Sequence, residues 1–319
     1  MSNGTVVALS GGIGGAKLSL GLLGILPPDS LSVVVNTGDD FEHLGLRISP
    51  DIDTTLYTLS DRVNPETGWG QRDETWRFME QQAQQGGETW FRLGDRDLEI
   101  HRERSRRLRD GETLSAITAD FTRRFGIAAA ILPMSDETVG TSVATDQGEL
   151  GFQDYFVRRQ CQPSVKGLRF AGAAAARPGP GVVAALSAKD LIAIIICPSN
   201  PWLSIDPLRA VPGMRQLLRG SGVPVVAVSP LVGGTAVKGP TAKIMTELGL
   251  PVTPAAVARH YAGWIDGFVL DSRDRQYADE IQVPVLVCDT LMQTLADRRR
   301  LAGATLEFAA TLAPSRAAA

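Results

Sequence analysis

The chain has 319 residues, 44% hydrophobic and 21% charged, which is enough apolar side chain for one large core or two small ones and excludes a disordered polypeptide. Its 32 basic and 35 acidic side chains leave a formal net charge of -3, which argues against a protein that grips duplex nucleic acid through clustered cations. No apolar run reaches membrane-spanning length, the start lacks a signal-peptide pattern, and Cys161, Cys197 and Cys288 have neither disulfide-framework nor zinc spacing, so a soluble cytoplasmic protein with a small-molecule partner is expected.

The first element is an apolar strand, TVVAL from Thr5, which breaks into SGGIGGAK and resumes as an amphipathic stretch. The turn is not a P-loop, because Ala16 separates Gly15 from Lys17 and no Ser or Thr follows. Nor does it have dinucleotide spacing, since Lys17 fills the third glycine position after Gly12 and Gly14. The physics common to both motifs survives: glycines admit an anion to the backbone, a helix N-terminus offers N–H groups, and Lys17 adds a cation. Gly11, Gly12, Gly14, Gly15 and Lys17 are therefore predicted to hold phosphate, against the plainer role of a structural corner.

A second strand, LSVVVN from Leu31, runs into NTGDDFEHLGLRISPDIDTTLY at 36–57. Asp39, Asp40, Asp51 and Asp53 crowd this loop as hard oxygen ligands, which suits Mg2+ with phosphates completing its coordination. The plainer role is capping and turn formation. Asp40 and Asp53 are expected to act at the strand end, Asp51 stands between the two roles, and His43 is a candidate base.

Residues 56–125 leave the strand–helix alternation, with helices expected near 75–85 and 114–125, and are predicted to form an inserted helical cap. The run RLGDRDLEIHRERSRRLRDG at 92–111 reads as a salt-bridged helical face, apart from Arg92 and Arg96 ahead of the helix proper. His101 and His260 read as solvated helix residues.

Strand character returns at IAAAILPM from Ile127, and alternating runs TSVATDQGEL and FQDYFVRRQ within 136–170 predict a small antiparallel extension. Four further apolar runs, LIAIIIC, VPVVAVS, GFVLD and VPVLVCD, resemble parallel strands covered on both faces. The expected fold is α/β, a doubly wound, mostly parallel, Rossmann-like sheet built from 1–55 and 126–312, with the cap at 56–125 and a tail at 313–319. Ligands of such sheets bind beyond the carboxyl ends of the strands. There, Ser199 and Asn200 lie between Pro198 and Pro201, and PLVGGTAVKGPTAK carries Gly233, Gly234, Lys238 and Lys243. These loops are expected to contact a nucleotide and a second phosphate, so a diphosphate fits better than a single phosphate.

Eight motifs, SGGIGGAK, VVVNTGDD, ISPDIDTTLY, RLGDRD, ILPMSD, CPSNPWLSIDP, PGMR and VVAVSPLVGGTAVKGPTAK, stand in one order. In that order the chain resembles the 2-phospho-L-lactate transferases of coenzyme F-420 biosynthesis, as far as CDTLM at 288–292. The resemblance implies a Mg2+-dependent transferase, often homodimeric. It would move a phospholactyl-type group from a guanosine diphosphate-linked donor to the terminal ribityl hydroxyl of the deazaflavin Fo, releasing GMP. The acyl part stays open among 2-phospholactate, phosphoenolpyruvate and 3-phosphoglycerate. By motif, Asp53 and Arg92 would contact the deazaflavin and Asp40 would accompany the metal, with Asp53 as second ligand. Asp53 or Asp51 would take the hydroxyl proton, and Lys17, Lys238 or Lys243 would steady the leaving phosphate. The alternative is a sugar-nucleotide-binding regulatory protein of related fold, which shares the glycine turn and aspartate pair but continues with a glycine-serine loop where this chain has FEHLGLRISPDIDT.

Overall fold

Seven apolar runs of four to six residues pair as parallel strands, most of them buried on both faces and so able to shed water only inside a layered sheet. The computed structural model describes residues 4–236 and 239–312. The chain enters as β1 (Thr5–Ser10), turns at Gly11 into α1 (Gly12–Leu23) and returns as β2 (Leu31–Val35). An antiparallel hairpin, β3 (Phe41–His43) and β4 (Leu46–Ile48), precedes α2 (Pro50–Leu59). Then come α3 (Arg77–Gln84), α4 (Asp95–Arg109) and α5 (Leu114–Arg124), before β5 (Ala130–Pro133) pairs with β2. The antiparallel extension is a three-stranded sheet of β6 (Gly140–Thr145), β7 (Gly148–Gly151) and β8 (Val165–Ala171).

After α6 (Pro180–Leu186), β9 (Leu191–Ile196) pairs with the other side of β1. Helices α7 (Asp206–Ala210) and α8 (Met214–Gly220) lead to β10 (Val225–Val228) and the short pair β11 (Leu231–Val232) and β12 (Thr235–Ala236). Helices α9 (Thr241–Glu247) and α10 (Pro254–His260), strands β13 (Gly267–Asp271) and β14 (Val285–Cys288), and the helix α11 (Leu295–Thr311) complete the described chain. Across the sheet the order is β14-β13-β10-β9-β1-β2-β5, all parallel, which is the doubly wound arrangement expected from sequence. The chain steps outward from β1 to β2 and β5, then restarts at β9 and steps the other way. The two directions part between β1 and β9, and a crevice at that parting is where such sheets take their ligands.

Alternate side chains of β1 feed different cores. Val6 and Ala8 join Leu18 of α1, Leu56 of α2 and Leu301 of α11 on one face, while Val7 and Leu9 join Val182 of α6 and Leu208 of α7 on the other. Helix α5 covers the first face through Leu114, Ile117 and Phe121, beside Val33 and Ile131. Helices α3 and α4 do something different: with Ile48 they enclose a separate small core of Met79, Leu93 and Leu98. The alternating run FQDYFVRRQ is not a strand. Its Asp154–Arg158 segment is a π-helical turn that buries Tyr155 and stacks Phe152 on Phe156 at 5.3 Å between centroids, a pairing of residues four apart that only a helical turn allows. Among the described residues no helix is long and apolar enough to cross a membrane.

Candidate active site

A cavity of about 650 Å³ opens at the β1–β9 parting. One part of its wall is polar, formed by Gly11, Gly12, Gly14, Lys17, Ser199 and Asn200. Another is aromatic, formed by Trp69, Trp90, Phe91, Phe152 and Phe156 with Arg92 among them. Asp39, Asp51, Asp53 and Asp97 supply its carboxylates.

The glycine turn is shaped by two separate requirements. Gly12 begins α1 at φ +63°, a left-handed conformation that favours glycine, although a side chain there would meet nothing within 4 Å. Gly14 is instead a close approach, since a Cβ would overlap the Pro198 carbonyl oxygen of the loop after β9. The first N–H groups are already engaged: Gly11 donates to Ser199 Oγ at 3.1 Å, and Gly12 donates to Asp51 Oδ1 at 2.7 Å. Asn36 Nδ2 donates to the other Asp51 oxygen at 3.0 Å, so this carboxylate ties the end of β2 to the start of α1. Asn200 accepts from the backbone N–H groups of Trp202 and Leu203, which leaves its amide nitrogen buried without a partner at the cavity. Lys17 lines the cavity and donates to the Met292 carbonyl at 3.1 Å.

The aspartates occupy three different environments. Asp39 is buried with Oδ1 unpartnered, and burial followed by the charge of Asp51 holds its carboxyl well above the usual range. Burial pushes Asp51 up to about 6 despite its bonds to Asn36 and Gly12. Asp40 does not line the cavity; burial lifts it to about 7, while Ser49 Oγ donates to it at 2.7 Å and Arg47 lies 3.8 Å away. Asp53 is clamped by Arg104, a guanidinium with no exposed surface that donates to both carboxylate oxygens. Burial works to lower the Arg104 pKa, but Asp53 and its hydrogen bonds outweigh it, so the guanidinium stays charged.

Among the described residues no three His, Cys, Asp or Glu side chains are grouped as a metal site. Mg2+ needs only one or two carboxylates when phosphates complete its shell. Asp39, with an unpartnered buried oxygen, and its neighbour Asp51, whose partners are neutral, meet that requirement better than Asp53, whose charge the Arg104 guanidinium already neutralises.

Arg92 lines the cavity, is exposed, and stacks its guanidinium 3.9 Å from the ring centroid of Trp76, which stands behind the wall. His43 is buried among aromatic rings, with Trp90 at 5.0 Å edge-on; burial lowers its pKa, so it is a neutral packing residue. The loop after β10 differs from expectation. Gly233 and Gly234 donate their N–H groups to the two oxygens of Asp274, both at 2.8 Å, and Lys243 pairs with Glu247 and the Pro163 carbonyl. None of these three lines the cavity; Gly239, Pro240 and Thr241 of the same loop do. Lys238 lies outside the described residues.

The sequence matches the family described as 2-phospho-L-lactate transferase CofD over residues 6–302. The chain belongs to this family of enzymes. It is 40% identical over 298 residues to a phosphoenolpyruvate transferase of Streptomyces griseus, covering 92% of this chain and 93% of that one. It is 41% identical over 302 residues to a 2-phospho-L-lactate transferase of Methanosarcina mazei, covering 93% of this chain and 98% of that one. A solved structure of a UPF0052 family protein from Bacillus halodurans shares the fold, with TM-score 0.61 and 15% identity over 96% of this chain and 99% of that one.

At the end of the RLGDRD motif and just after it, the structure brings further residues to the site. Asp97, His101 and Arg104 recur at helical spacing on the inward side of α4, within a run read as solvated. Arg104 is fully buried, and His101 is 3% exposed and lines the cavity, with burial lowering its pKa to about 4. Their signal was the spacing of four and then three residues, which marks one helix face. High local charge hid it.

Proposed function

We propose that this transferase moves a phospholactyl-type group from a guanosine diphosphate-linked donor to the ribityl hydroxyl of the deazaflavin Fo, releasing GMP, in coenzyme F-420 biosynthesis. The supporting observation is that one cavity joins the glycine turn and aspartates to an aromatic wall carrying Arg92. A nucleotide diphosphate suits the first surface and a flat tricycle with a polyol arm suits the second.

The transfer is a displacement at phosphorus, in which positioning and charge neutralisation dominate. Lys17 and the first turn of α1 beyond the engaged Gly11 and Gly12 N–H groups would hold a phosphate, with the unpartnered Asn200 amide as a further donor. Asp39 and Asp51 would hold Mg2+, which neutralises diphosphate charge when bound. Arg92 and the aromatic wall would orient the acceptor. The acyl group is not decided by identity, because relatives at 40% and 41% carry different donor names. Assembly as a homodimer is part of the same reading.

The test is incubation with Fo, Mg2+ and each of the three guanosine-linked donors, followed by mass analysis. A new phosphodiester on Fo with one GMP per product is expected, and the preferred donor names the acyl group. No product from any donor would contradict the proposal.

A further inference from the structure

We infer that Asp97 takes the proton from the attacking acceptor hydroxyl, an assignment that rests on the proposed transfer reaction. In that step the hydroxyl oxygen bonds to the phosphorus bearing the acyl ester. The bond from that phosphorus to the bridging diphosphate oxygen breaks, its electron pair leaves with GMP, and the hydroxyl proton passes to the Asp97 carboxylate.

The other bases on the cavity wall are each committed. Asp53 has both oxygens bound by Arg104. Asp51 accepts from Gly12 N–H on one oxygen and from Asn36 on the other. Asp39 belongs to the pair that fits a cation, and His101 is too weakly basic, with its pKa lowered to about 4 by burial. Asp97 is 9% exposed, lines the cavity, and has a buried Oδ1 without a hydrogen-bond partner. It also stands five residues past Arg92, within the segment that leads from the aromatic wall into α4. Glu74 fixes that entry by accepting the backbone N–H groups of Arg96 and Asp97, at 2.7 and 3.3 Å.

The groups that face Asp97 set its basicity. From α2 come Asp53 and Tyr57, and from the loop before α3 come Gln71 and Glu74; His101 and Arg104 follow Asp97 at helical spacing on α4 and act on Asp53. Burial and then the Asp53 charge raise its carboxyl to about 7, while Tyr57 and Gln71 support the ionised form. A base near the working pH is the most effective, because it is both ionised and able to hold a proton.

The test measures kcat and KM against pH for the wild type, Asp97→Asn and Tyr57→Phe, together with Fo titration and melting. Wild-type kcat should rise with pH to a plateau above about 7. Asp97→Asn should lose about 100-fold or more in kcat, flatten that rise, and bind Fo as before. Tyr57→Phe removes a hydroxyl that favours the carboxylate, so its rise should move to higher pH, an outcome that still reports on Asp97 if the Asn variant folds poorly. Wild-type turnover by Asp97→Asn, or an unmoved pH profile in Tyr57→Phe, would overturn the assignment. If the wild type itself makes no product, the proposed reaction fails, and this inference fails with it.

Discussion

Arg104 and Asp53 form a buried ion pair in which each needs the other, since Arg104 is fully enclosed and Asp53 supplies both of its carboxylate contacts. Removing one member strands a charge, which costs about 3–5 kcal/mol in comparable pairs. Asp53→Ala should therefore lose both activity and stability, the latter measured by denaturant titration. The double variant Asp53→Asn with Arg104→Met should recover much of the stability and none of the activity. A single variant that melts like the wild type would show that the pair is not buried in solution. Arg92 makes the opposite case. It is exposed and its described contact is the Trp76 face, so Arg92→Ala should weaken Fo binding about tenfold, leave GMP affinity alone and leave melting unchanged. Equal Fo affinity in fluorescence titration would return Arg92 to the surface.

At the scale of elements, the glycine turn works because three segments meet at its edge: the end of β1, the start of α2 through Asp51, and the loop after β9 through Pro198 and Ser199. Gly14→Ala should push that loop away from α1, destabilising the protein and raising donor KM together. Lys17→Ala changes no backbone preference, so it should raise donor KM or lower kcat with melting and Fo binding near wild type. The effect should shrink at high salt, because the attraction of a partly exposed charge is screened over about 8 Å at physiological ionic strength. Unchanged kinetics and GMP binding at low salt would make the turn a corner only. Much of this element was legible in sequence, since glycine spacing and a following apolar helix are local signals. The loop after β10 was not, because what engages the Gly233 and Gly234 amides is Asp274, forty residues later in the chain. The inward face of α4 was hidden differently: Arg104 looks solvated until a carboxylate from α2 is placed beside it. All seven strands were legible, because continuous apolar runs of this length have few other fates in a layered sheet.

For the whole molecule, the site gathers buried carboxyls whose protonation folding favours. Asp40 and Asp97 reach about 7, Asp51 reaches about 6 and Asp39 is held well above its usual range, each mainly by burial. A carboxyl raised on folding stabilises fully below its unfolded pKa of about 4 and loses that contribution as pH rises through the folded value. Buried neutral His43 and His101 act the other way below about 6.5, but the four carboxyls outnumber them. The metal-free protein should therefore melt higher at pH 5.5 than at pH 8, and added Mg2+ should raise melting more at pH 8, where Asp51, raised to about 6, is ionised. A melting temperature that climbs from pH 5.5 to 8 without metal would contradict this picture of the site. The central claim is that donor and acceptor share the cavity between β1 and β9. Its most direct measurement is a structure of the enzyme with Fo and GMP bound together. The expected result places the GMP phosphate at the α1 N-terminus beside Lys17, the deazaflavin against Trp90, Phe91 and Arg92, and the ribityl hydroxyl between them beside Asp97. Either ligand bound outside that cavity would contradict the account.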